Sequence, residues 1–327
     1  MIALLAPGQG SQKPGMLAPW LDDPAAEEIL LSWSGATGID LRRLGTTADA
    51  DEIKDTSVTQ PLVVAAALLA AARLTAKSTP AAGSPVAGHS VGELAAAAIA
   101  GVLSPDAAVE LAAIRGREMA AACALEPTGM SAVLGGDPGD VLAVLERLGL
   151  DPANRNGAGQ IVAAGALTAL AELAANPPER ARVIGLPVAG AFHTRYMVPA
   201  EEAMRSHADG LPTSDPLLPL LSNADGATVG TGAEALTRLV AQVTRPVRWD
   251  ACMATLQQLG VTAVIELPPA GTLVGLVKRE LKGVATLALK TPDDLDKAAA
   301  LIAEHCGPDD GPHDSGPRDS PANGGAA

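Results

Sequence analysis

Aromatic residues are almost missing from this 327-residue chain, which has three Trp, one Tyr and one Phe. A core of this size must therefore pack on aliphatic and alanine side chains, and the stacking platforms that single-stranded nucleic acids use are lacking. Positive charge is scarce too: 23 Lys and Arg face 37 Asp and Glu, for a formal net charge of −14. That field repels phosphate backbones and anionic bilayers, so neither nucleic acid nor membrane is an expected partner. An anionic substrate must instead be held by a few local cations. The three cysteines, Cys123, Cys252 and Cys306, are too far apart for a metal motif or a disulfide framework. They fit a reducing cytoplasm. Met1-Ile2-Ala3-Leu4-Leu5-Ala6 lacks a basic flank and runs into Pro7-Gly8, unlike a signal peptide. The apolar run 62–72 reads as part of an alanine-rich helix of ordinary length, not a membrane span. No internal repeat is visible.

What is present is ample apolar material, 48% of the chain, enough for one large domain or one domain with an insert. The pattern opens with a strand over 2–6, then helices over 24–35, 49–54 and 60–77, the last with Pro61 in its first turn. An apolar approach, Pro85-Val86-Ala87, leads into helices over 91–100 and 105–124, the second capped by Ser104. Between 127 and 187 the order becomes strand, helix, two strands around Asn156-Gly157-Ala158-Gly159, helix, strand. That β-α-β-β-α-β order is ferredoxin-like. Helices and strands then alternate, with strands expected at 217–222, 263–267 and 285–289 and a helix over 233–243. The fold class is α/β, a mainly parallel covered sheet (1–126 and 188–305) with a small inserted subdomain (127–187). From 306 to 327 the chain is Gly, Pro, Asp and Ser without apolar patterning, so a disordered tail is expected.

The chemistry centres on Gly88-His89-Ser90-Val91-Gly92, a serine between glycines at a strand-to-helix joint. This is the layout of a nucleophile elbow. The same residues also fit a plain helix start, with Ser90 as N-cap and Glu93 completing a capping box. A nucleophilic serine needs a base, and the chain has five histidines. His89 is adjacent in sequence and its side chain should diverge. His207 lies at a polar helix end, and His305 and His313 fall near the terminus. His193, in a loop after Gly190-Ala191-Phe192, is the best candidate. Arg115 shares a helical stripe with Ala108, Leu111, Ala112, Met119 and Ala122. A guanidinium on an apolar face needs an anion: either a structural carboxylate or the carboxylate of a substrate. Arg117 falls on the solvated face. The loop Gly8-Gln9-Gly10-Ser11-Gln12 lacks the lysine of a P-loop and the spacing of a dinucleotide fingerprint, and its N–H groups suit an oxyanion hole instead.

Several stretches, in order, resemble the malonyl-CoA:acyl carrier protein transacylases and the related acyltransferase domains of polyketide synthases. They are Pro7-Gly8-Gln9-Gly10-Ser11-Gln12, Thr59-Gln60-Pro61, Gly88-His89-Ser90-Val91-Gly92-Glu93, Arg115-Gly116, Asn156-Gly157-Ala158-Gly159-Gln160, Ala191-Phe192-His193, the run from Gln242 to Trp249, and Gly271-Thr272-Leu273. The resemblance spans 2–281. It implies an α/β-hydrolase-like large domain with a ferredoxin-like insert, Ser90 as nucleophile and His193 as base. It further implies Arg115 holding a malonyl carboxylate, and an oxyanion hole from the N–H groups of Gln9 and Val91. The carbonyl of Gln242 would orient the histidine, and Phe192 would crowd a 2-methyl branch. Asn156 receives no catalytic role. The implied partners are malonyl-CoA and acyl carrier protein, with no metal or other cofactor and a monomeric state. Arg195, Arg245, Arg248, Lys278 and Arg279 are offered as a carrier-protein patch. The chain departs from a common family form at Gly190-Ala191-Phe192 and at Pro268-Pro269. An ordinary serine thioesterase or esterase is the rival; it calls for an acidic partner to the histidine and a His-Gly-Gly motif, which the sequence lacks.

Overall fold

The structure, a computed structural model, describes residues 1–305. The expected tail and Cys306 lie outside the described residues. The chain begins β1 (Ile2–Ala6), α1 (Pro24–Thr37), α2 (Leu41–Thr46), α3 (Thr56–Lys77), β2 (Val86–Gly88), α4 (Gly92–Ile99) and α5 (Pro105–Cys123). It continues β3 (Thr128–Gly135), α6 (Pro138–Arg147), β4 (Asp151–Gly157), β5 (Gln160–Ala166), α7 (Leu167–Ala175) and β6 (Ala181–Gly185). It closes with α8 (Val198–Ala208), β7 (Leu220–Leu221), α9 (Gly232–Ala241), α10 (Trp249–Gln258), β8 (Ala263–Glu266), α11 (Thr272–Glu280), β9 (Ala285–Ala288) and α12 (Leu295–His305).

The larger sheet runs β7-β2-β1-β8-β9, and every pairing in it is parallel. All of β1 is buried. Its period-2 alternation sends Ile2, Leu4 and Ala6 into one core and Ala3 and Leu5 into another. Helices therefore cover both faces, as a parallel sheet requires. One core gathers side chains of α3, α4 and α5; the other is built largely from α10 and α11. The second sheet, β4-β5-β3-β6, is antiparallel, and its elements follow the order β-α-β-β-α-β. Its core is aliphatic, around Val133, Leu145, Ile161 and Leu173. The β4–β5 hairpin turns on Ala158 and Gly159, both at positive φ (49° and 71°), as a two-residue hairpin loop demands.

Three expectations need correction. No helix forms over 49–54; those residues are turns, and the short helix is α2. The Asp49 carboxylate accepts from the Glu52 N–H at 2.9 Å, a local bond that competes with helix formation. Helix α3 begins earlier than expected, capped by Asp55, so Pro61 sits inside it rather than in its first turn. At 22 residues α3 is long and apolar enough to cross a bilayer, but 78% of its 18-residue apolar window is buried inside the fold. The strand expected at 217–222 shrinks to Leu220–Leu221. Pro216 and Pro219 carry no N–H for a ladder, and Leu217 is 79% exposed.

Candidate active site

Strand β2 ends at Gly88, and the chain turns sharply into α4. Ser90, at the turn, has φ 54°. A non-glycine residue in the left-handed region carries strain, and such residues gather at functional sites. The turn is packed so tightly that side chains are excluded from two places. A Cβ on Gly92 would lie 2.3 Å from the carbonyl oxygen of Ala6, and one on Gly8 would lie 2.6 Å from that of His89. The loop after β1 is thereby pressed against the elbow, at the carboxyl ends of neighbouring parallel strands, where open α/β sheets place ligands.

His193 arrives on a loop beyond the small sheet, also at positive φ (61°). Its Nε2 lies 2.7 Å from the Ser90 hydroxyl, and its Nδ1 lies 2.8 Å from the main-chain carbonyl oxygen of Gln242. A carbonyl only accepts, so Nδ1 holds the ring proton and Nε2 is free to accept from Ser90. Gln242 caps the C-terminus of α9, where carbonyls lose their helical partners. The imidazole is 3% exposed. Burial, then the nearby Arg115 charge, pulls its pKa down to about 3. It is therefore neutral, with Nε2 an open acceptor facing Ser90.

Arg115 projects from α5 at 2% exposure. Nη1 donates to Gln60 Oε1 (2.6 Å), and Nη2 donates to Gln242 Oε1 (2.9 Å) and to the Ser90 hydroxyl (3.3 Å). Among the described residues no carboxylate forms an ion pair with it. The structural-carboxylate alternative for Arg115 thus gives way to a guanidinium held by two amides beside the serine. Burial lowers its pKa to about 10, opposed by the Glu93 charge. Arg117 is exposed and pairs with Glu118.

The capping-box alternative also fails. Helix α4 starts at Gly92 with no side-chain cap, and the Ser90 hydroxyl faces His193 and Arg115. The Glu93 carboxylate is buried and accepts from the side chain of Gln242 and from the Asn223 N–H. The Asn223 amide in turn accepts from the Ser90 N–H (2.8 Å) and donates to the Gly88 carbonyl (2.7 Å), bracing the elbow.

The remaining expected residues fall around this centre. Val91 follows Ser90 and Gln9 lies in the loop after β1, and neither backbone N–H has a partner among the described residues. The Gln9 side chain donates to Thr56 Oγ1. A cavity of about 190 Å³ opens at Gln9, lined by Gly8, His89, Asn156, Leu273 and Leu276 among others. His89 turns away from Ser90 to Asn156 (2.9 Å) and stands edge-on to Trp249. Phe192 is buried in the core next to His193. In the suggested basic patch, Arg195 is paired with Asp151 and Arg248 with Asp250, while Arg245, Lys278 and Arg279 are exposed. Burial pushes the Cys123 thiol up to about 11 and the Cys252 thiol up as well, so neither is a ready thiolate. No cluster of His, Cys, Asp and Glu able to hold a metal ion occurs among the described residues.

Sequence reasoning missed Gln60 and Asn223 as parts of this centre, and for Glu93 it offered only the capping-box alternative. Gln60 stood in a quoted motif without a role. Asn223 had no signal, because its function is to bridge segments more than a hundred residues apart.

Comparison with known proteins agrees with this architecture. Residues 4–301 match the family described as acyl transferase domain. A protein named malonyl CoA-acyl carrier protein transacylase from Mycobacterium tuberculosis is 60% identical over 302 residues, covering 92% of this chain and all of that one. The crystal structure of MCAT from the same species superposes with a TM-score of 0.88 at 59% identity, over 91% of this chain and 99% of that chain. A type II PKS acyl-carrier protein in complex with its malonyl-transacylase gives a TM-score of 0.85 at 28% identity, over 92% and 99%. In residues matched and in fold, the chain belongs to the acyl transferase domain family.

Proposed function

We propose that this chain moves a malonyl group from malonyl-CoA to the phosphopantetheine thiol of acyl carrier protein, through a malonyl ester on Ser90. The observation that carries the reading is the buried Arg115 guanidinium 3.3 Å from the Ser90 hydroxyl, with neutral His193 2.7 Å from the same oxygen. A serine and base alone can be acylated by many thioesters. A desolvated cation beside them selects acyl groups that end in a carboxylate, which a planar guanidinium holds bidentately.

In the first half-reaction His193 Nε2 takes the Ser90 proton as the oxygen attacks the thioester carbonyl. The N–H groups of Gln9 and Val91 stabilise the tetrahedral oxygen; a single such donor is worth about 10²–10³ in rate. The bond to sulfur breaks, His193 returns its proton to the leaving thiolate, and the malonyl ester remains. In the second half the carrier's thiol gives its proton to His193 and attacks the ester, and Ser90 regains the proton as it leaves. The Gln242 carbonyl keeps the imidazole in the required tautomer, the task an aspartate performs elsewhere. Phe192, buried beside His193, limits room for a branch at the malonyl C2. One methyl is worth about 1–3 kcal/mol of discrimination.

The relatives' names and the carrier-protein complex support this donor and acceptor pair. The product serves fatty acid or polyketide synthesis. A thioesterase reading is weaker, because the histidine's orienting partner is a carbonyl and not a carboxylate. Labelled malonyl-CoA with holo acyl carrier protein tests the choice. Transfer to the carrier's thiol, with slow release of malonate when the carrier is omitted, is expected; equal malonate release with and without it would favour the thioesterase.

A further inference from the structure

Glu93 fits a capping box by spacing, but helix α4 carries no side-chain cap. Its carboxylate is 3% exposed, in the middle of the site, on the side of Gln242 away from Arg115. Oε1 accepts from the Asn223 N–H at 2.9 Å, and Oε2 accepts from Gln242 Nε2. Both Glu93 oxygens accept, so Gln242 turns its NH₂ towards Glu93. Its oxygen then faces the other way, where it receives Arg115 Nη2 at 2.9 Å. The Gln242 NH₂ also reaches the Ser90 carbonyl and the Asn223 side-chain oxygen, both at 3.1 Å. One amide thus links the buried anion, the elbow and the guanidinium.

We infer that Glu93 is a positioning residue for acyl-group selection: through the side chain of Gln242 it fixes the direction in which Arg115 is held, and so the preference for acyl groups bearing a carboxylate. The inference rests on the reading of Arg115 as the carboxylate-binding group. Glu93 never touches substrate; Arg115 does. Burial raises the Glu93 carboxyl to about 7, a cost that the bonds from Asn223 and Gln242 and the Arg115 charge offset in part. Packing alone gives no reason to keep such a group at this position, since a buried charge is costly unless it is paired.

The isosteric change Glu93→Gln isolates the effect. The Asn223 N–H is a fixed main-chain donor and claims the new amide's oxygen. The new NH₂ then meets the NH₂ of Gln242, donor against donor. Turning the Gln242 amide over relieves that clash only by aiming an NH₂ at Arg115. The elbow's braces from Asn223 to Ser90 and Gly88 stay intact.

The test is the rate of acyl-serine formation from malonyl-CoA and from acetyl-CoA, by intact-protein mass spectrometry, for the wild type, Glu93→Gln, Arg115→Ala and the double variant. The expected result is a fall in the malonyl-to-acetyl ratio of about tenfold or more in Glu93→Gln, seen mainly in KM for malonyl-CoA, with acetyl transfer changed much less. In the Arg115→Ala background the same substitution should leave the ratio unchanged. If Glu93→Gln slows both substrates equally or leaves the ratio intact, while Arg115→Ala lowers it, the inference fails and the reading of Arg115 stands. An unchanged ratio in Arg115→Ala overturns that reading and the inference with it. Should Glu93→Gln not fold, Glu93→Asp keeps the charge, withdraws it by one methylene and is held to the same ratio.

Discussion

Ser90 and His193 meet at 2.7 Å, hydroxyl to ring nitrogen, and both hold left-handed backbone, at φ 54° and 61°. Two strained residues in contact, from segments about a hundred residues apart, mark where the fold spends stability on a site. If His193 is the base, His193→Ala should slow acyl-serine formation by about 10²–10⁴-fold. Single-turnover labelling measures this, and a near-normal rate would assign the proton to another group.

The depressed pKa of His193 has a consequence for stability. As pH falls below 6.5 the unfolded histidine binds a proton, while the folded one refuses it until about 3. The contribution is therefore complete above pH 6.5 and is lost as pH falls towards 3. At pH 5 the loss is about 2 kcal/mol relative to neutral pH. Glu93, shifted up to about 7, acts with the opposite sign between 4.5 and 7. Its effect cancels when the wild type is compared with His193→Gln. Urea unfolding of both proteins at pH 7.5 and pH 5 should find the wild type losing about 2 kcal/mol against the variant. A difference independent of pH would mean that the folded imidazole titrates normally.

Arg115→Ala separates substrates. The guanidinium is desolvated, so a carboxylate that loses it is left unpaired in a buried place. Malonyl transfer should drop by about 10²–10³-fold, and acetyl transfer by less than about tenfold. Competition between the two thioesters in one reaction reads the ratio directly. Equal losses would make Arg115 a brace for Ser90 and Gln242 only.

Gly92→Ala tests the packing of the elbow. The added Cβ would meet the carbonyl oxygens of Ala6 and Pro7 at 2.3 and 2.5 Å, main-chain atoms of the central strand and its loop. Overpacking of this kind costs about 1–3 kcal/mol. A lower melting temperature together with slower acylation is expected; wild-type melting and rates would mean that the loop after β1 is not pressed onto the elbow.

Much of the site could be read along the chain because short-range geometry dictates it. Glycines around Ser90 announce a turn without room for side chains, and Arg115 interrupts an apolar helical stripe. His193 followed from the small number of histidines. The Gln242 carbonyl is different. Any residue type can supply a carbonyl, so only family resemblance pointed to that position. Asn223 and Gln60 matter because of partners distant in sequence, and nothing in their local pattern reveals that. Glu93 three residues after Ser90 fits a capping box equally well by spacing; tertiary contacts with Asn223 and Gln242 decided otherwise. In the fold, the missed turn at 49–54 and the shortened strand at 217–222 share a cause. Local bonds from Asp49, and prolines at 216 and 219, overrode the apolar pattern.

The central claim is a covalent malonyl group on one hydroxyl. Intact-protein mass spectrometry after brief mixing with malonyl-CoA tests it most directly. The wild type should gain the mass of one malonyl group, located on the peptide containing Ser90, and Ser90→Ala should gain nothing. An adduct that persists in Ser90→Ala, or turnover by the wild type that never passes through an adduct, would contradict it.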